Sequence, residues 1–308
     1  MEYLDKKNSP LISIGMPVHN GAETIRLALD SLLNQTFYDF ELIISDNAST
    51  DETEEICKTY ASKDSRIIYI RQSKNMGAIN NFKNVFVASS GEYFTWAGAD
   101  DIHSFNYLEV NYNFLEKNLD YVASGSPNRF SNWKNDRKFV DFSLDNKDII
   151  SRYLNFFQNC YQSHGLFYCL FRSKILKDSE LFDAIFPGHD WLAFDWAFIL
   201  YLLSKGKIKR VLNGEIIFGV YGISNDSNIF RVYNNSIIEY FIPFYKLSKF
   251  VMQLTEELSL ANRVKILFIQ VKLNIFAHIS TLYQRVRYFF YKMYCRFLKP
   301  IINLNRLQ

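Results

Sequence analysis

Four short apolar runs mark the first hundred residues, at 11–18, 40–45, 66–71 and 92–97. In the first, Ile12, Ile14 and Met16 alternate on one face, as in a strand with one buried side. The second, FELIIS, is almost continuously apolar, the pattern of a parallel strand covered on both faces, and Asp46 ends it. Between the runs the period becomes helical. Ile25, Leu29, Leu32 and Leu33 fall at i, i+4, i+7 and i+8 and predict a helix ending near Gln35 and Thr36. Ser49 and Glu52 make an S-x-x-E pattern that predicts a capping box at the start of a second helix, with Glu54 and Glu55 in its first turns. After a turn at Asn75, Met76 and Gly77, the residues Phe82, Val85 and Phe86 mark a third helix over 78–89. Strand and helix thus alternate three times. That order predicts a mostly parallel, Rossmann-like α/β sheet flanked by helices, with ligands at the carboxyl ends of its strands.

Further on, the pattern predicts a helix over 111–117, a strand at 121–124 and loops covering the site over 128–147. A strand at 166–172 and a helix from about 195 to 204 follow, and beyond about 233 the chain reads as helices to its end. The domains expected are 1–232, with a first half over about 8–105 and a second over 106–232, and a helical C-terminal extension over 233–308. With 308 residues, 48% hydrophobic and 22% charged, the chain is large enough for a well-filled core. Its opening residues are polar and carry no apolar signal segment, so a cytoplasmic protein is expected. Cys57, Cys160, Cys169 and Cys295 lack metal-ligand spacing and read as idle thiols.

The formal charge of +3 conceals an asymmetry. No Asp or Glu follows Glu257, whereas nine Lys and Arg do; the first 257 residues hold 26 basic and 32 acidic groups. A wholly basic segment implies an anionic partner, nucleic acid or anionic lipid. Within it Leu282, Val286, Phe289, Phe290, Met293 and Phe297 recur at helical spacing, with Arg285, Lys292, Arg296 and Lys299 mainly off that stripe. The run is too interrupted by charge to span a bilayer. A basic amphipathic helix lying on an anionic membrane surface is expected, with a helix packed on the catalytic part as the alternative.

Candidate chemistry centres on Asp100 and Asp101, which close the apolar run after Trp96, Ala97, Gly98 and Ala99. Carboxylates at a strand end are costly unless paired, hydrogen-bonded or bound to a cation, so the pair suggests a divalent-metal site at the mouth of the sheet.

The motifs fall in a telling order: Met16, Pro17, Val18, His19, Asn20 and Gly21; then 31–36 (SLLNQT); then 40–51 (FELIISDNASTD); then Asn75, Met76 and Gly77; then Gly91, Glu92 and Tyr93; then Asp100 and Asp101. This series closely resembles the nucleotide-binding half of family 2 glycosyltransferases, which have the GT-A fold. The resemblance is strong over about 11–105, loose over 106–220, and does not reach the tail.

The resemblance implies a nucleotide-sugar donor, UDP-linked by preference, and an inverting transfer to a hydroxyl in cell-surface polysaccharide or lipid-linked glycan synthesis. Asp46 matches the acid that accepts the imide N–H of a uracil-type base, a task suited to an ionised carboxylate. Pro17, His19 and Asn20 match the loop around base and ribose, and Asn75, Gly77, Ala99 and Asp100 complete the donor set. Asp100 matches the metal-holding acid, with Asp101 as a second ligand for Mn²⁺ or Mg²⁺. One departure stands out: Gly98 occupies the place where many members carry the first acid of D-x-D-D. Asp195, eleven residues before Gly206, matches the general base at a helix start, and Asp190 is its rival. His189 is an alternative metal ligand, and Trp191 and Trp196 are candidate sugar platforms. The other readings are a sugar-nucleotide-binding protein without turnover, suggested by Gly98, and a sugar-phosphate nucleotidyltransferase, which lacks its Gly-rich basic loop here.

Overall fold

The computed structural model describes residues 9–132, 143–160, 163–187, 192–219 and 236–293. The chain divides into two compact units, Met1–Gly222 and Ile223–Gln308.

In the first unit the predicted alternation is present: β1 (Ile12–Val18), α1 (Ile25–Leu33), β2 (Phe40–Asp46), α2 (Thr53–Ala61), β3 (Ile67–Arg71), α3 (Ala78–Val87) and β4 (Tyr93–Trp96). All seven residues of β2 are buried, which is why FELIIS carries no alternation. In α1 the side chains of Ile25, Ala28, Leu29 and Leu32 form one buried stripe against the sheet. Next come β5 (Ile102–His103), α4 (Tyr107–Lys117), β6 (Tyr121–Gly125), β7 (Asn128–Phe130), α5 (Ile149–Asn159) and β8 (Leu170–Arg172). The unit closes with α6 (Lys174–Lys177), α7 (Phe182–Ile185), α8 (Phe194–Lys205), β9 (Lys207–Arg210) and β10 (Ile216–Phe218).

The main sheet runs β3-β2-β1-β4-β8-β6-β9. Strands β1 to β4 are mutually parallel, β8 is antiparallel to both neighbours, and β6 and β9 are parallel to each other. Because β2 and β3 lie on one side of β1 and β4 on the other, the strand order reverses between β1 and β4. The crevice beyond their carboxyl ends is where open α/β sheets bind ligands. A second, three-stranded sheet, β5-β10-β7, begins just after the acid pair.

One face of the main sheet is covered by an aromatic cluster. Trp96 stacks on Phe167 with centroids 4.7 Å apart, and Phe198 of α8 meets Trp96 edge-on at 4.9 Å. Seven consecutive α8 residues, 197 to 203, are buried, so this helix is a core element on all sides. Its first turn is thereby fixed relative to β4.

Several local expectations are corrected. The helix placed over 111–117 begins earlier, at Tyr107, with Asn106 at its cap position. The run 166–172 opens with a 3₁₀ turn and is strand only from Leu170, and 128–130 is strand rather than loop. Cys57, Cys160 and Cys169 are buried, and burial pushes the Cys57 and Cys169 thiols up to about 12, which keeps them inert; Cys295 lies outside the described residues.

The second unit contains helices at Ile237–Phe241, Tyr245–Leu254 and Leu260–Met293. Leu282 and Val286 of the predicted basic stripe are exposed on the last of these. The side chains of Phe289, Phe290 and Met293, and all of Phe297, lie outside the described residues. Among the described residues no helix is long and apolar enough to cross a membrane.

Candidate functional site

Asp46, the last residue of β2, is fully buried. Its Oδ1 accepts the Ser49 amide at 2.8 Å, and its Oδ2 accepts the Tyr69 hydroxyl at 2.7 Å and an Arg71 Nη1–H at 2.6 Å. Burial alone would push this carboxyl up. The hydrogen bonds from Ser49 and Tyr69, with the Arg71 charge, outweigh that and hold it below the ordinary carboxylate value. The result is a buried, ionised acceptor roofed by Arg71, which also donates to the Ser49 carbonyl at 2.8 Å and pairs with Glu54 at 3.3 Å. Tyr69 and Arg71 were not anticipated as site residues. Their i, i+2 spacing in a strand next to β2 was the available signal, since alternate strand residues share a face.

The adjoining loops are tied together by side chains. Asn20 and Ala48 both sit in the left-handed region, with φ of 53° and 60°, a conformation that non-glycine residues hold only where surrounding contacts enforce it. Here the Asn20 amide donates to Ser49 Oγ and the Thr50 amide donates to Asn20 Oδ1, each at 2.8 Å. Ser49 is therefore not the cap of α2, and no capping box forms. Asp51 takes the Thr53 amide instead, at 3.1 Å. His19 is exposed on the rim and Pro17 is half-buried at the end of β1. Asn75 joins the same wall: Asn47 Nδ2 and the Gly77 amide both donate to its Oδ1 at 2.9 Å, and Gly77 turns the chain into α3 with φ of 85°. The Ala99 carbonyl accepts the Thr24 hydroxyl at 2.9 Å, linking the acid-pair turn to the loop after β1.

The two neighbouring acids have different surroundings. Asp100 is half-buried, whereas Asp101 is buried, its Oδ2 accepting the Gly98 amide at 3.2 Å and its Oδ1 the Gly219 amide at 3.1 Å. Burial, and then the Asp100 charge, push Asp101 up to about 7. Asp101 thus ties the turn after β4 to the end of β10. Both glycines it touches are closely approached: a Cβ at Gly98 would fall 2.8 Å from Asp101 Cγ, and one at Gly219 would overlap the Asp100 carboxyl group, so either carboxyl would have to move. The Asp101 side chain occupies the room that a residue larger than glycine would need at position 98.

Asp195 lies in the first turn of α8, and burial pushes it up to about 6. Tyr168 connects it to the acid pair. The phenol of Tyr168 feels, besides its own burial, the charges of Asp101, Asp100 and Asp195, which raise its ionisation well above the ordinary tyrosine value. Its ring lies 5.3 Å from Phe218 of β10, and its carbonyl accepts the Thr95 and Tyr107 hydroxyls at 2.9 and 2.6 Å. Tyr168, also not anticipated, lies within electrostatic reach of all three acids. Trp196 is half-buried against Phe156, 6.0 Å away, so its ring is partly a packing element. Asp190, His189 and Trp191 lie outside the described residues.

The sequence model for glycosyl transferase family 2 matches residues 13–179, more than half of the chain. The chain belongs to glycosyl transferase family 2. An uncharacterized glycosyltransferase of Rickettsia prowazekii is 32% identical over 182 residues, covering 58% of this chain and 46% of the relative. Glycosyltransferase GlyA of Streptococcus pneumoniae is 26% identical over 173 residues, 56% of this chain and 23% of GlyA. The chain thus spans less than half the length of these relatives. Among solved structures, S. aureus TarS 1–349 in complex with UDP aligns with TM-score 0.57 and 16% identity over 89% of this chain and 91% of TarS. The mannosyltransferase PcManGT of Pyrobaculum calidifontis, in complex with GDP-Man and Mn²⁺, aligns with TM-score 0.55 and 14% identity over 90% and 74%. At such identities the likeness is one of fold, and it makes this unit a GT-A fold.

Against that family pattern, the donors available to a cation are few. No group of three or more His, Cys, Asp or Glu side chains suited to a metal occurs among the described residues. Asp101 is buried with both oxygens hydrogen-bonded to backbone amides, and Asp100 is the more exposed carboxylate of the pair. One hard oxygen donor from the protein, completed by phosphate oxygens of a substrate, is a set that suits Mg²⁺ or Mn²⁺. Asp100 could hold such an ion together with substrate oxygens, with Asp101 fixing the turn behind it.

Proposed function

We propose that this family 2 member is an inverting glycosyltransferase that moves a sugar from a nucleotide-diphosphate sugar, UDP-linked by preference, to a hydroxyl of a cell-surface polysaccharide or lipid-linked glycan. The observation that carries the reading is the acid pair just past β4, with Asp101 holding the Gly98 and Gly219 amides behind a half-buried Asp100, and a buried Asp46 at the end of β2 on the same edge of the parallel sheet. Asp46 and Arg71 would meet the base, an acceptor and a donor side by side. Pro17, His19, Asn20, Asn75 and Gly77 would wall the ribose side, and Ala99 with Asp100 would lie at the diphosphate. A divalent cation held by Asp100 supplies Lewis-acid neutralisation of the leaving diphosphate when bound. Asp195 would take the proton of the acceptor hydroxyl, since a carboxyl near 6 is ionised at neutral pH yet basic enough to assist. Asp190 is the second base candidate. Attack from Asp195's side, opposite the diphosphate, inverts the anomeric centre.

In this reading residues 1–232 carry donor and acceptor binding, and the basic helical region 233–308 places the enzyme peripherally on the inner face of the cytoplasmic membrane. The test is a panel of nucleotide sugars scored by thermal stabilisation with and without Mn²⁺, followed by product analysis with the best donor. A donor that stabilises only with metal and then yields an inverted glycoside supports the proposal. Stabilisation with no transfer to any hydroxyl acceptor favours the non-catalytic binding protein.

A further inference from the structure

The helix Leu260–Met293 has two faces of opposite character. Ile266, Gln270, Leu273 and Ala277, at i, i+4, i+7 and i+11, are buried. The neighbouring Asn274 locks the same side, accepting the Phe244 amide at 2.8 Å and donating to Ser248 Oγ at 3.2 Å, so the helix Tyr245–Leu254 and its approach pack there. The other face is apolar and open. Leu260, Val264, Phe268, Val271, Ile275 and Ile279 follow at i, i+4, i+8, i+11, i+15 and i+19, each between 47% and 77% exposed. The stripe continues through Leu282 and Val286, about 40 Å of helix at 1.5 Å per residue. The exposed Phe241 ring stacks on His278 at 6.0 Å and brings the short helix Ile237–Phe241, with exposed Ile237 and Ile238, to the same edge. An unbroken apolar surface of this extent marks an interaction site.

Charge decides what it meets. Lys265 and Lys272, seven residues apart and so on one flank of the stripe, are exposed, and Lys272 Nζ sits 4.5 Å over the Phe268 ring. No acidic residue occurs from Leu258 to the end of the chain. A second copy docking through this face would set basic flank against basic flank, without the opposite charges that pair helices at such seams. An anionic bilayer supplies what is missing: hydrocarbon for the stripe and phosphate for the lysines, whose stems reach along the apolar surface to hold their charge at the headgroups.

We propose that the face Leu260–Val286, flanked by Lys265 and Lys272, is the surface by which this protein lies on anionic lipid, with the helix axis in the membrane plane. The inference rests on the peripheral-membrane part of the proposed function and on none of its chemistry. It also extends the contact upstream of the sequence stripe at 282–297, to a face beginning some twenty residues earlier.

The test is co-sedimentation of the full chain with vesicles of phosphatidylcholine alone or mixed in equal parts with phosphatidylglycerol, at low and high salt. The expected result is binding to the mixed vesicles, weakening as salt rises, and little binding to phosphatidylcholine. Phe268→Glu with Ile275→Glu should lower the partition coefficient at least tenfold, and Lys265→Glu with Lys272→Glu should remove the preference for anionic lipid. Circular dichroism and melting of each variant check folding, and the lysine pair is exposed enough to be exchanged without disturbing the buried face. Equal binding to both vesicle types, or undiminished binding by either variant, overturns the proposal. So does a concentration-dependent dimer that the Phe268→Glu, Ile275→Glu variant dissociates while wild-type protein ignores vesicles; a second copy would then cover the face. Nucleotide-sugar stabilisation of the same preparations separates failure of the membrane surface from failure of the transferase reading.

Discussion

Replacing Asp195 by Asn should inactivate the enzyme and stabilise it at once. The wild-type carboxyl titrates at about 6 instead of its ordinary 3.8 because burial disfavours the charge. At about 1.4 kcal/mol for each pH unit of that displacement, carrying the ionised form at neutral pH costs the folded state up to about 3 kcal/mol. The sign follows from the raised value: the cost is absent below the unfolded carboxyl's range, grows as pH climbs from about 4 to about 6, and is complete above that. Asparagine keeps the shape and never ionises, so the variant should melt several degrees higher at pH 7 and show no advantage at pH 4. Turnover should fall by about 10² to 10⁴, the range for loss of a general base, with donor affinity kept. The pH profile separates this from a structural effect. Wild-type kcat/KM should rise with unit slope up to about pH 6 and then level, and the Asn variant should lose that acid limb. An Asn variant that retains the limb, or that loses less than about tenfold in kcat, refutes Asp195 as the base and turns attention to Asp190.

Asp100→Ala should abolish transfer and the metal-dependent part of donor stabilisation; full activity of the variant, or of wild type in EDTA, rejects the metal role. Asp46→Ala should weaken donor binding and leave metal dependence in place, since the proposed function puts this residue at the base and not at the diphosphate; unchanged donor affinity rejects the base-pocket assignment. Gly98→Asp, which restores the acid usual at that position, should lower the melting temperature and the activity because its side chain would collide with Asp101. Adding Asp101→Ser should recover most of the lost stability, a coupling that a double-mutant cycle measures directly. If Gly98→Asp alone melts like wild type, the two positions do not share one space.

Much of the fold was legible because burial leaves a periodic trace. The all-apolar run of β2 and the buried stripe of α1 each follow from one physical constraint, and both lie within a residue or two of where the pattern puts them. Short elements escaped. β7, with three residues, is too brief to show a period, and Ser49 followed by Glu52 satisfies the capping pattern while the Ser49 hydroxyl is engaged by Asn20, 29 residues away. Tyr69, Arg71 and Tyr168 were invisible as site residues for the same reason: their significance lies in what faces them across strands. In the tail, helical periodicity identifies an amphipathic helix but not which residues a neighbour covers, so the open stripe upstream of Leu282 emerged only with the packing of Leu273 and Ala277.

The acid pair shows where sequence reading meets its physical limit. Along the chain, Gly98 looks like a lost ligand and Asp101 like a spare one. In space the two are complementary: the side chain missing at 98 leaves room for the Asp101 carboxyl, which uses that room to hold the amides of Gly98 and Gly219. Two strand ends that are 121 positions apart are thereby fixed on either side of Asp100, whose carboxyl lies close enough to position 219 that any side chain there would displace it. A motif that departs from its family by one residue is therefore not simply weakened by that residue. One acid lies at the mouth of the sheet and the other holds the turn beneath it, and under the proposed function a single orienting acid would suffice where substrate phosphates supply the remaining oxygen donors.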